Sequence, residues 1–321
     1  GYQNDSSIKQ KVRDYRVNVI ANIHPLNYES ISISKELLQD LYQKKTIVYN
    51  VDLVQATSYS MADSIYRFLL AGNNFSGPRQ EENASFPKHY HFKSITYGEL
   101  LHPDLLPQLT ELKERQVCGP IFTNPVWSVL RLNSKYDNTG LQSYDDIEHN
   151  LIEQMEMLLK FENQNKFIND LKEKYPVSVN EEHYQMMISA FTAENNQGWI
   201  DKNKINTSDL DDTFLKIDDD ETSLSSFISS FSKSMQFVQL HTLSKKDLEN
   251  FADVYISQNL LYLDALQKGV DKNTLIKDKL ANKENRLLLT KYLKEELGEK
   301  VTVSDSDAEQ FYNDNKDKWK A

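Results

Sequence analysis

Three kinds of side chain in this sequence could do chemistry, and their spacing decides what chemistry that would be. His89 and His91 stand two apart in H-Y-H-F-K-S-I-T-Y, which alternates like a strand, so both rings project from one side. With His102 not far on, they raise a zinc or copper reading. A metal needs a third ligand at fixed spacing, and no nearby cysteine supplies it. Two exposed strand histidines account for the pattern. The single cysteine, Cys118, has no basic neighbour in sequence to favour its thiolate, so it reads as a small buried residue rather than a nucleophile. Asp209 to Asp212 and Asp218 to Glu221 invite calcium, but neither has the D-x-D-x-D-G order that wraps the ion; they read as solvated turns. None of the nine glycines stands in G-K-S/T context, so there is no phosphate loop. No metal and no cofactor are expected.

The composition limits what could position such groups. A length of 321 residues suggests two or three domains, and a hydrophobic fraction of 39% suits helices that bury one face better than a single thick core. A net charge of −11, with no cluster of Lys and Arg, excludes the basic footprint of a nucleic-acid binder. One cysteine permits no disulfide framework, and no run of eighteen apolar residues spans a membrane. The chain opens on Gly1 without Met, which is read as a processed or trimmed start.

Periodicity and punctuation give the elements. Ile8 to Ile23 reads as a helix stopped by Pro25, and Ser34 caps a helix to about Lys45. Thr46 to Ala56 is a β-branched strand. Ser60 is expected to cap a helix that ends at Gly72, in the left-handed conformation. Ser76 to Lys88 is a polar loop, His89 to Tyr97 a strand, Pro103 to Leu112 a short helix, and Val117 to Ile121 and Val126 to Leu132 the next strands. Ser143, with Asp146, caps a long helix to about Tyr175. Glu181 to Phe191 continues helical, 192 to 212 reads as a linker, and Phe214 to Glu221 as a strand. Further helices are expected at Ser223 to Phe231, Ser244 to Lys268, Lys272 to Leu297 and Ser304 to Asn315. The apolar stripe Phe251, Tyr255, Tyr262, Leu263 and Leu266 is first of all core.

The chain also repeats itself at an offset of 270 residues. Arg13-Asp-Tyr-Arg16 lies over Lys283-Glu-Asn-Arg286, Ile31-Ser-Ile-Ser34 over Val301-Thr-Val-Ser304, and Leu41-Tyr42 over Phe311-Tyr312. The expectation is a piece of a longer protein, whose next residues open a second module.

Val117 to Leu132, V-C-G-P-I-F-T-N-P-V-W-S-V-L-R-L, resembles the closing strand pair of parvulin-type prolyl isomerases, roughly S-G-P-V-x-T-x-F-G-Y-H-I-I-K-L. Gly119, Pro120, Thr123 and the alternating Val129 to Leu132 match. Ala62, Ile65, Leu69, Gly72 and Phe75 resemble the family's A-x-x-I-x-x-x-L-x-x-G-x-x-F, and Pro103 to Leu112 is similar to its M-x-P-x-F-E helix. The stretch Leu171 to Asn180 is similar to the segment on the C-terminal side of such a domain in periplasmic chaperones. The order of these pieces resembles the SurA and PrsA group of envelope folding factors.

The resemblance implies an α+β fold: an extended, mostly helical chaperone-like scaffold with one inserted parvulin-like, FKBP-like βα module. The implied segments are 1–45, the helical end of a first chaperone-like unit; 46–136, the parvulin-like domain; 137–199, a return helix and linker; and 200–321, a second helical unit cut before a further module. A parvulin surrounds the twisting prolyl amide with two histidines and a Cys or Asp. The first histidine position falls on Asp52, in V-D-L-V, and the second on Ser128. The family's pocket residues fall near Leu101 and Leu105 and on Pro125; with Trp127 these are the expected peptide-binding positions. The family's glycine pair is absent between Ser76 and His91. With both histidines replaced, the resemblance implies a non-catalytic, ATP-independent chaperone that binds unfolded or extended polypeptides in the periplasm or cell envelope. A lipid anchor upstream of Gly1 is consistent with the polar start. An active prolyl isomerase with a rearranged site and a scaffold protein that reuses the fold are the alternatives.

Overall fold

The computed structural model describes residues 5–28, 30–74, 87–194, 197–236, 240–298 and 304–316. The expected loop from Ser76 falls almost wholly outside these residues, as do Phe75 and Val301 to Val303. The elements in chain order are α1 (Ser6–Asn22), α2 (Lys35–Lys44), β1 (Ile47–Ala56), α3 (Tyr59–Leu70), β2 (Lys88–Thr96), α4 (Leu106–Glu111), β3 (Val117–Thr123) and β4 (Val126–Asp137). They continue with α5 (Tyr144–Lys174), β5 (Val177–Val179), α6 (Glu182–Ser189), β6 (Phe191–Glu194), β7 (Gln197–Ile200), α7 (Thr207–Asp211), β8 (Thr213–Ile217) and β9 (Asp220–Ser223). Last come α8 (Leu224–Met235), α9 (Lys245–Gln267), α10 (Thr274–Leu293) and α11 (Asp305–Asp314). Helices are interspersed with strands that all pair antiparallel, an α+β arrangement. No described helix is long and apolar enough to cross a membrane.

The main sheet has the order β2-β1-β4-β3, all antiparallel. Side chains alternate across it. Tyr49, Val51, Leu53, Leu130 and Leu132 pack with Leu101, Leu105, Leu106 and Leu109 on one face. Val54, Ala56, Trp127 and Val129 pack with Ala62, Ile65 and Leu69 of α3 on the other. Gly119 is required where β3 meets β4: a Cβ there would lie 2.7 Å from the Ser128 carbonyl oxygen, and its φ is +115°. Leu38 and Leu41 of α2 join Leu151 and Met155 of α5 in a further cluster.

Several boundaries differ from the sequence reading. Ser58, not Ser60, caps α3, its hydroxyl accepting from Met61 N at 3.4 Å. The expected linker 192–212 holds most of the β6–β7 hairpin, a 3-10 turn at Lys202–Lys204 and α7. The expected strand Phe214 to Glu221 is a hairpin, turning at Asp218 with φ 54° and pairing with the unforeseen β5.

Two compact units divide the chain at Asn22/Ile23 and Asp264/Ala265. In the unit formed by the two chain ends, α1 packs against α10, Arg16 pairs with Asp271, and Lys291 pairs with Asp5. The other unit holds the nine strands of the described residues, α2 to α8 and most of α9.

Candidate functional site

Asp52 stands mid-strand in β1, where β2 and β4 flank it. The register sets it opposite His91 on one side and Arg131 on the other. Asp52 Oδ1 lies 2.7 Å from His91 Nδ1 and 3.0 Å from His89 Nε2. Oδ2 accepts from Arg131 Nη2 at 2.7 Å and from Asn133 Nδ2 at 3.0 Å. Burial alone would raise this carboxyl. Hydrogen bonds from His91, Arg131, Asn133 and His89 outweigh it and hold the group at about 2. Four donors fill the acceptor capacity of an ionised carboxylate. Asp52 therefore has neither a proton to give nor a lone pair to offer a substrate at neutral pH. It serves to orient the histidines and Arg131. The two histidines do share a side of their strand, but their common partner is a carboxylate, and no metal-holding group of three or more ligands occurs among the described residues.

Ser128 lies elsewhere. It opposes Gln55 in the register, three residues from Arg131, and three is an odd step along a strand. Its neighbours in sequence, Trp127 and Val129, belong to the α3 face with Asp52, so Ser128 points to the opposite face with Leu130 and Leu132. It is fully buried, its Oγ 2.7 Å from Thr123 Oγ1. Asp52 and Ser128 are thus not brought together, and no amide could touch both. On β1 the positions that share Ser128's face are Val51, Leu53 and Gln55, the last directly opposite it, and Asp52 is not among them.

Of the expected peptide-binding residues, Leu101, Leu105 and Trp127 are core, leaving Pro125 exposed in the β3–β4 turn. Leu101 and Leu105 pack beneath the sheet with Leu106 and Leu109. Trp127 is held by Tyr59 and Phe122 at its ring, and its Nε1 donates to Asp247 Oδ1 at 2.8 Å. Asp247 Oδ1 also accepts from Tyr59 N at 2.7 Å, and Asp247 Oδ2 from Ser244 N at 2.9 Å, so one carboxylate joins the start of α9 to α3 and β4. Cys118 is half-buried, and burial pushes its thiol up to about 11, which suits a packed residue rather than a nucleophile.

An open surface lies along α5 instead. A groove of about 400 Å³ between α2, α4 and α5 is lined by Leu37, Leu41, Leu106, Met155, Leu158 and Phe161, with Asp40, Lys44, Asp104 and Glu162 among its polar residues. A second hollow of about 500 Å³ adjoins it, lined by Leu26, Ile31, Asn163 and Gln164 among others; Leu37 and Leu159 line both. Sequence reasoning missed this surface because α2 and α5 lie a hundred residues apart; the stripes were legible, their meeting was not. Comparison with family models, with curated proteins and with solved structures finds no match for this chain.

Proposed function

We propose that this chain is a parvulin-like envelope folding factor without prolyl isomerase activity, a chaperone that holds unfolded or extended polypeptides without ATP. The observation that carries the reading is the double groove along α5: an apolar floor with polar groups among its lining, of the size that takes a short stretch of chain. Leu37, 37% exposed and shared by both hollows, is the side chain best placed to meet a client. The lack of isomerase activity is supported by three features: Asp52 is saturated, Ser128 is buried on the other face, and Leu101 and Leu105 are packed in the core rather than open to a ligand. The parvulin-like part is supported by where the motifs fall, with C-G-P on β3, the alternating run on β4 and the A-x-x-I block on α3.

The test is a titration of a carboxymethylated, permanently unfolded protein into the whole chain, followed by fluorescence anisotropy. Losing one buried leucine contact is worth about 1.5–3 kcal/mol, so Leu37→Asp and Leu159→Asp are each expected to weaken binding at least ~10-fold. NMR exchange of an X-Pro peptide is expected to show no acceleration. Binding indifferent to both substitutions would remove the groove from the reading, and accelerated exchange would restore the isomerase.

A further inference from the structure

Ser225 and Ser229 lie one turn apart on α8, whose N-cap is Ser223. Against them stands Lys202 from the 3-10 turn that follows β7. Its Nζ is 2.8 Å from the Ser225 carbonyl oxygen, 2.9 Å from Ser225 Oγ and 2.9 Å from Ser229 Oγ. These three oxygens are its partners, and among the described residues no carboxylate pairs with it. A half-buried ammonium with no counter-charge, set against the positive end of a twelve-residue helix, is less favoured than one in water. Burial pushes Lys202 below the usual lysine range, and the charge of Lys233 adds to this.

The serine hydroxyls differ. Ser229 Oγ donates to the Ser225 carbonyl oxygen at 2.9 Å, so its proton is committed. Ser225 Oγ has no acceptor apart from Lys202 among the described residues. When Lys202 is neutral, the Ser225 hydroxyl is therefore the donor that fits the amine lone pair, which is how a serine is activated by a lysine base. The Ser225 N–H, in the first turn, has no intrahelical acceptor and is available to an oxyanion.

We propose that Ser225 and Lys202 form a serine–lysine dyad that takes acyl groups from small esters. Ser225 Oγ attacks the ester carbonyl carbon as its proton passes to Lys202 Nζ. The carbon–oxygen bond to the leaving group then breaks, and the leaving oxygen takes that proton, which leaves an acyl ester on Ser225. A water that gives its proton to the same amine attacks the acyl carbon. Ser225 Oγ departs with that proton, and the carboxylic acid is released. This dyad is independent of the groove and of the chaperone reading.

The probe is p-nitrophenyl acetate, incubated with the whole chain across pH 6 to 10, the acetyl group then being mapped by peptide mass spectrometry. The expected result is an acetyl ester on Ser225, forming with a midpoint below the ordinary lysine value of about 10.4. Lys202→Arg keeps the positive charge and the tie to the helix but supplies no base, and should slow the adduct at least ~100-fold with an unchanged circular dichroism spectrum. Ser225→Ala should abolish it. An adduct on Lys202 instead of Ser225, a rate unchanged in Lys202→Arg, or no adduct above that on other serines would each overturn the dyad and leave Lys202 a structural tie.

Discussion

Asp52 carries its charge into a site nearly closed to water, where His89, His91, Arg131 and Asn133 surround it. Its carboxyl is lowered from 3.8 to about 2, which corresponds to on the order of 2 kcal/mol. A depressed carboxylate stabilises the fold above its unfolded value and loses that contribution as pH falls through the folded one. Stability against urea is therefore expected to hold from pH 7 to about 4 and to drop by roughly that amount towards pH 2. Asp52→Asn should be less stable at pH 7 by about 2–4 kcal/mol, since Arg131 keeps its charge and loses its partner, and should be flatter in this window. A variant as pH-dependent as the parent would assign the acid loss to other carboxylates. At this scale the sequence was partly legible. The spacing of two put His89 and His91 on one side of a strand. What they face could not be read, because Asp52 and Arg131 come from other strands and meet them only through the register. That Asp52 and Ser128 fall on opposite faces could not be read on the same ground: alternation is certain within a strand, but its phase against a neighbour depends on bulges such as the one at Asn50/Val51.

Elements with a local signal were legible. The serine caps of α2, α5 and α11 stand where the sequence puts them, and Ser304 and Asp307 form a full capping box. The β6–β7 hairpin was missed, for its strands are four residues each and polar in part, below the length at which alternation can be seen. Its one clear mark is Gly198. A Cβ there would lie 2.3 Å from the Leu240 carbonyl oxygen and 2.3 Å from the Phe191 ring, and the backbone oxygen has no way to yield without moving the chain. Gly198→Ala is expected to destabilise the unit by about 1–3 kcal/mol in urea unfolding, as overpacking does, although alanine is among the mildest substitutions for most glycines. An unaffected midpoint would mean that the hairpin does not lie against Leu240 in solution.

Across the whole molecule the repeat at 270 residues is carried by the elements: α2 and α11 each run ten residues and start at matching positions. Burial does not follow it. Leu38 and Leu41 of α2 are covered by α5, while Ala308 and Phe311 at the matching positions of α11 are exposed. A repeat in sequence fixes a helix and its stripe, but what covers the stripe is tertiary and not legible in the repeat. The larger unit is closed at its own ends by His24, whose Nε2 donates to Asp264 Oδ2 at 2.9 Å while Nδ1 accepts from Leu26 N at 3.1 Å. That bond joins residues at the start and end of the 23–264 stretch. The unit of the chain ends has a far thinner interior, chiefly Ile8, Val17, Ile20, Ala21, Ala265 and Ile276. Opening free energy follows buried apolar area, so the two units should not open together. In native-state hydrogen exchange, amides of α1 and α10 are expected to exchange through a lower-energy opening than those of β1 and β4, and urea should abolish α1–α10 protection first. One common opening energy for all four elements would mean that the chain unfolds as a single cooperative body despite the unequal cores.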